Sequence, residues 1–159
     1  LIDTSRNWQR KHWNSIYQSY HKSAYFHNYA QFFEELYRKE WENLSELNEA
    51  VIRYVLTQLE ISVKIVKASE MPLGGGGTEL LIEICKQLGA DTYIYGKHGE
   101  DYMDVEEFQR HAITLLPQNF LYPHYRQLHQ PFIENMSIID LLFNEGSKSI
   151  GIIAAQSNA

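Results

Sequence analysis

The sequence predicts an α/β protein: a small parallel-sheet, three-layer (Rossmann-like) core with an N-terminal helical subdomain. Three observations predict it. Apolar residues recur at helical spacing through the first sixty residues. Residues 62–67 (SVKIVK) alternate β-branched with polar side chains, residues 78–89 follow a helical pattern that stops at Gly89, and residues 92–95 (TYIY) resume a strand pattern. Strand, helix, strand makes a right-handed βαβ unit with parallel strands. Finally, residues 112–116 (AITLL) offer a further strand, ended by Pro117. Residues 1–159 read as a single α/β domain, with 1–60 as a helical lead-in and 61–146 as the βαβ-type core and closing helix.

In order, Leu1-Ile2-Asp3 opens without Met, as though the chain were entered mid-strand. Thr4 or Ser5 suits the cap of a helix running to about residue 20, with Trp13, Ile16, Tyr17 and Tyr20 on one face. Arg6, Arg10, Lys11 and Lys22 form a basic concentration there, either a solvated face or a contact surface for an anionic substrate such as a sugar nucleotide. A second helix is expected over 28–40, its stripe made by Tyr29, Phe32, Phe33, Leu36 and Tyr37. A third follows Trp41 and carries Leu44, Leu47, Val51, Ile52, Val55, Leu56 and Leu59 at core spacing. Asp104 and Glu107 form a capping-box pattern before a short helix, and Ser137 with Asp140 repeats it before SIIDLLFNEG, which Gly146 ends. Residues 121–132 (LYPHYRQLHQPF) are too rich in Pro and polar aromatics for regular structure. The stretch from Gly151 is weakly patterned, and Ser157-Asn158-Ala159 reads as a frayed end.

Composition narrows the function classes. At 159 residues and 44% hydrophobic content the chain is long enough for one packed core. A net charge of −6 speaks against nucleic acid as a partner. The single cysteine, Cys85, excludes an internal disulfide framework and falls on the apolar side of its helix, as a core thiol does. No apolar run reaches the length of a membrane span, and cytoplasm is the default expectation. Aromatics reach 13%, with eleven tyrosines; at helical spacing such residues are core more often than pocket lining.

The candidate site follows from the βαβ reading. Loops leaving the carboxyl ends of parallel strands share one sheet edge, where open α/β sheets bind ligands. The run of residues 74–77 and the turn of residues 96–99 are therefore expected to face one another across a crevice. Gly75, Gly76 and Gly77, with Thr78 at the helix start, would offer backbone N–H groups to a phosphate or carboxylate. Gly96, Lys97, Gly99 and Tyr102 would form the other wall, and Tyr125 is the remaining ligand-binding candidate. Four glycines also read as a flexible connector, and neither GxGxxG nor GxxxxGK[ST] is present. His98 and Asp101 are the catalytic candidates, as groups able to move a proton. Glu79 and Glu100 lie nearby in sequence. His98, His111, His124 and His129 lack metal-ligand spacing, so no metal is expected. No GxSxG elbow marks a serine hydrolase, and no motif names a cofactor.

Four blocks resemble the WbqC-like protein family of bacteria: residues 5–26 (SRNWQRKHWNSIYQSYHKSAYF), 78–104 (TELLIEICKQLGADTYIYGKHGEDYMD), 122–127 (YPHYRQ) and 132–146 (FIENMSIIDLLFNEG). Relative to that family, an earlier HQPxYLPW-type segment is missing, so the chain is expected to be incomplete. Tyr95 stands where members commonly carry Ser, and Gly77 where a basic residue often precedes the Thr. The resemblance implies a role in bacterial O-antigen and surface-polysaccharide assembly, as a transferase moving glycine or another aminoacyl group onto an amino sugar. A small-molecule substrate, such as a nucleotide sugar, would be its partner. The alternatives are a non-catalytic binding or scaffold domain and a nucleotide-binding, adenylate-forming α/β protein.

Overall fold

The structure is a computed structural model and describes residues 1–156; the expected frayed end at 157–159 lies outside the described residues. In chain order the helices and strands are α1 (Trp8–Tyr20), α2 (Phe26–Arg38), α3 (Leu44–Gln58), α4 (Gly77–Leu88), β1 (Thr92–Tyr95), α5 (Val105–Arg110), β2 (Thr114–Pro117), α6 (Ile138–Glu145) and α7 (Ser149–Ala154). The fold is mixed α/β and mostly helical. It contains two compact units, Val63–Phe120 and, around it in sequence, Leu1–Ser62 with the described residues from Leu121 onward.

The helical unit is built on aromatic packing. α2 buries Phe26, Tyr29, Phe33 and Leu36, a spacing of three and four that lays them along one stripe. Phe143 of α6 is fully buried among them, its ring centroid 5.2 Å from Phe26 and 5.8 Å from Phe33. Trp41 is buried and donates its indole N–H to the Leu36 carbonyl at 2.8 Å, which satisfies its polar handle. α1 starts later than the Thr4/Ser5 reading, at Trp8. Asp3 instead accepts the Ser5 N–H at 2.9 Å and its hydroxyl at 2.6 Å, closing a local turn. The weakly patterned stretch after Gly151 continues α7, begun at the fully buried Ser149, whose hydroxyl donates to the Gly146 carbonyl at 2.7 Å.

In the other unit, β1 and β2 pair in parallel with Thr92 opposite Thr114 and Tyr95 opposite Pro117. α5 lies in the crossover, the connection a parallel pair requires. Ile82, Cys85, Tyr95, Met103, Phe108 and Ile113 form the core, with Phe108 wholly enclosed. α4 ends as the sequence predicts. Gly89 takes a left-handed φ of 65°, and the Gly89 and Ala90 N–H groups return to Lys86 and Cys85.

Two expectations are corrected. Residues 62–67 form no strand, so α4 does not join two strands in a βαβ unit. Among the described residues the sheet has two strands, not three. The reason is pairing: Val63 and Val66 remain 59% and 38% exposed, with no neighbouring strand among the described residues to complete a ladder. Alternation supplies a face, and only a paired edge turns it into sheet.

Candidate functional site

The glycine run precedes α4 without leaving a strand. Gly75 and Gly77 adopt left-handed φ values of 74° and 57°, and the extended Gly76 is the N-cap residue. The helix answers this loop with its own carboxylates. The Gly74 N–H donates to Glu83 Oε2 at 3.0 Å, and a Cβ at Gly75 would lie 3.0 Å from Glu79 Oε2. The Gly74 N–H, next to the expected row of donors, is thus engaged from within the helix.

Thr78, in the first turn of α4, ties this helix to the start of α5. Its hydroxyl accepts the Asp104 N–H at 2.9 Å, while Asp104 Oδ1 accepts the Glu107 N–H at 3.1 Å and caps α5. The Asp104–Glu107 capping pattern is thus observed on one side only. Glu107 turns its side chain to Arg110 and His111 instead of back to Asp104.

Around this joint lies an open hollow of about 820 Å³. Gly76 and Thr78 form its rim, and Glu79, Glu83, Asp104 and Glu107 line it with four carboxylates. Lys86 and His111 are its basic members, and Ile82 its apolar one. The lining carries both signs with an acidic excess, which suits an ammonium-bearing ligand that also has a polar or anionic end. Sequence reasoning missed Glu83 and Lys86. Their signal was present, because Glu79, Glu83 and Lys86 share a helix face at steps of four and three.

The second predicted loop leaves the carboxyl end of β1 and turns at once, the Gly99 N–H bonding the Gly96 carbonyl at 2.8 Å. Gly99 is buried, and a Cβ there would sit 2.5 Å from Tyr95 Cδ2. The Tyr95 hydroxyl donates to the Glu100 carboxylate, which raises the phenol above its ordinary pKa. Lys97 is exposed and Tyr102 is 66% exposed. The two catalytic candidates do meet: His98 Nδ1 lies 3.2 Å from Asp101 Oδ2, with side chains 79% and 74% exposed. A carboxylate at Nδ1 fixes that nitrogen as the proton-bearing one and leaves Nε2 free to accept a proton.

The structure does not gather all the predicted residues. Gly76 and Thr78 line the hollow; Gly96, Lys97, Gly99 and Tyr102 do not. Tyr125 belongs to the helical unit, where its hydroxyl donates to Asp140 at 2.7 Å. Cys85 is buried, and that burial pushes its thiol pKa up, away from nucleophilic use.

Fold and site together define a mostly helical α/β protein whose small parallel pair carries a glycine turn at its carboxyl end, with a polar hollow at a helix amino end. Residues 1–152 match the WbqC-like protein family, and the chain belongs to that family. Among curated proteins it is similar to the uncharacterized protein Rv1507c of Mycobacterium tuberculosis, 31% identical over 151 residues. That alignment covers 94% of this chain, which spans 65% of the relative's length. No solved structure matches the chain. Among the described residues, no helix is long and apolar enough to cross a membrane, and no His, Cys, Asp and Glu group forms a metal-holding cluster.

Proposed function

We propose that this protein transfers glycine or another aminoacyl group to an amino sugar, carried on a nucleotide, during assembly of bacterial O-antigen and surface polysaccharide. Kinship with the WbqC-like family supports the reaction class. The observation that carries it is the lining of the hollow: four carboxylates beside Lys86 and His111, at the amino end of α4. Both an amino sugar and an activated amino acid bring an amino group, and carboxylates recognise it in its ammonium form.

In this reading the neutral amine of the acceptor attacks the acyl carbonyl. Its proton passes to the imidazole of His111, which lines the same hollow beside Glu107. Backbone N–H groups at the start of α4 face the developing oxyanion. The leaving group belongs to the activated donor, a thioester or an adenylate. The test incubates the protein with UDP-linked amino sugars and a glycyl thioester or glycyl adenylate, and reads product mass. A glycyl mass gain that falls at least tenfold in His111→Ala is the expected result; no gain with either donor sinks the reading.

A second reading, a non-catalytic binding or scaffold domain, draws on the hollow lying open to solvent, since acyl transfer to an amine competes with hydrolysis wherever water is free to enter. It predicts an acceptor that binds without turnover with either donor.

A further inference from the structure

The helical unit holds a second cleft, of about 350 Å³, that the transfer chemistry leaves unused. It lies where the α1–α2 turn meets the loop before α6 and the end of α6. Lys22, Arg126 and Lys148 line it with three cations against one carboxylate, Glu145. This reverses the sign of a chain whose net charge is −6. Glu145 is already engaged, accepting the Arg126 backbone N–H at 3.3 Å. The three cationic side chains have no ion-pair partner among the described residues.

Ser23 supplies the independent observation. It lines the same cleft, is 6% exposed, and its hydroxyl has no hydrogen-bond partner among the described residues. Its backbone is satisfied, the N–H bonding the Tyr20 carbonyl at 2.8 Å and the carbonyl accepting the Phe26 N–H at 3.2 Å. Buried hydroxyls are nearly always paired, so an unpaired one beside three free cations marks a place for an acceptor.

We propose that this cleft binds the phosphoryl group of a small phosphorylated molecule. A dianion matches the local charge, because three cations and one carboxylate leave two positive charges. Phosphate also presents several acceptor oxygens. Ser23 Oγ would donate to one of them, the Arg126 fork would take two, and the lysines act as point charges. A carboxylate would neutralise only half of the excess. The volume leaves room for a second phosphate or a sugar, within the range of small-molecule pockets. The residues differ from those of the hollow at α4, so occupancy here is independent of the transferase reading.

The test is calorimetry on the full chain with inorganic pyrophosphate, uridine diphosphate and acetate at constant ionic strength. Pyrophosphate or uridine diphosphate, or both, should bind, and acetate should not. Ser23→Ala should weaken that binding about tenfold. Its thermal midpoint should stay level or rise, because the hydroxyl it removes has no partner in the protein. Arg126→Gln should weaken binding at least as much, whereas Lys64→Gln, an exposed lysine of the other unit, should leave it unchanged. Absence of heat with both phosphates overturns the proposal. So does equal binding of acetate, or affinity that survives both Ser23→Ala and Arg126→Gln.

Discussion

Tyr125 and Asp140 meet inside the helical unit, the phenol hydroxyl donating to a carboxylate that is only 5% exposed. Asp140 also accepts the Gln127 side-chain amide at 3.1 Å. Gln127 in turn clamps the Ile133 backbone at both its N–H and its carbonyl, each at 2.8 Å. One buried carboxylate thus ties the irregular stretch to α6. Asp140→Ala removes the acceptor of two donors that converge on it, Tyr125 and Gln127. It should cost about 3 kcal/mol in urea unfolding, against about 1 kcal/mol for Tyr125→Phe, which removes a single donor.

The same cluster sets an alkaline limit. Burial first, then the hydrogen bond to Asp140, pushes Tyr125 up to about 12. Burial and then the Asp140 charge raise Tyr20 as well. Both phenols are held neutral in the fold, so the folded pKa lies above the unfolded value of about 10. Their stability contribution is complete below pH ~10 and is lost as pH rises through about 12. Circular dichroism and phenolate absorbance should therefore show unfolding accompanying ionisation of these two phenols in that window. Tyr125→Phe, though less stable at neutral pH, should lose less across it.

Much of this fold was legible. The bounds of β1, the stripe of α2, the stop at Gly89 and the Asp104 cap on α5 follow from local rules, because local side chains decide them. Asp140 was not legible in its real role. Ser137-x-x-Asp140 has the form of a capping box, yet Ser137 makes no side-chain cap bond, and the carboxylate serves partners thirteen and fifteen residues away. Residues 62–67 failed for the converse reason, since their pattern was right but strand formation depends on a neighbour. The site divides the same way. The two glycine turns were legible as turns. Their expected confrontation was not, because it rested on the strand that does not form. The His98–Asp101 contact, three residues apart, needed only local geometry.

Glycines that matter for packing separate cleanly from those that do not. Gly146→Ala should be the most damaging, combining a φ of 59° with a Cβ 2.5 Å from the Tyr25 ring. Gly99→Ala meets Tyr95 at 2.5 Å without the backbone strain and should cost about 2 kcal/mol. Gly96→Ala meets nothing within 4 Å and should stay within about 0.5 kcal/mol. Thermal melts of the three variants check that order.

Cys85 gives a probe of opening in its own unit. At 4% exposure, with its thiol pKa raised by burial, it should resist a disulfide exchange reagent in native buffer. Its modification rate should rise with urea in step with unfolding of this unit. Fast labelling in native buffer would contradict the packing around Ile82 and Phe108.

Thr78 and Asp104 test whether the glycine run and α5 act as one piece. The Asp104 N–H has Thr78 Oγ as its acceptor at 2.9 Å, while the Asp104 side chain independently caps α5. Thr78→Val keeps the shape and removes the acceptor, so it should cost about 1 kcal/mol and speed hydrogen exchange at the Asp104 amide. Thr78→Ser restores an oxygen and should recover most of both effects. Asp104→Ala removes the cap but keeps the backbone N–H, so it should cost about 1 kcal/mol by a separate route. The double variant Thr78→Val with Asp104→Ala should then lose nearly the sum. A strongly sub-additive loss would mean that the two bonds hold the joint as one cooperative unit.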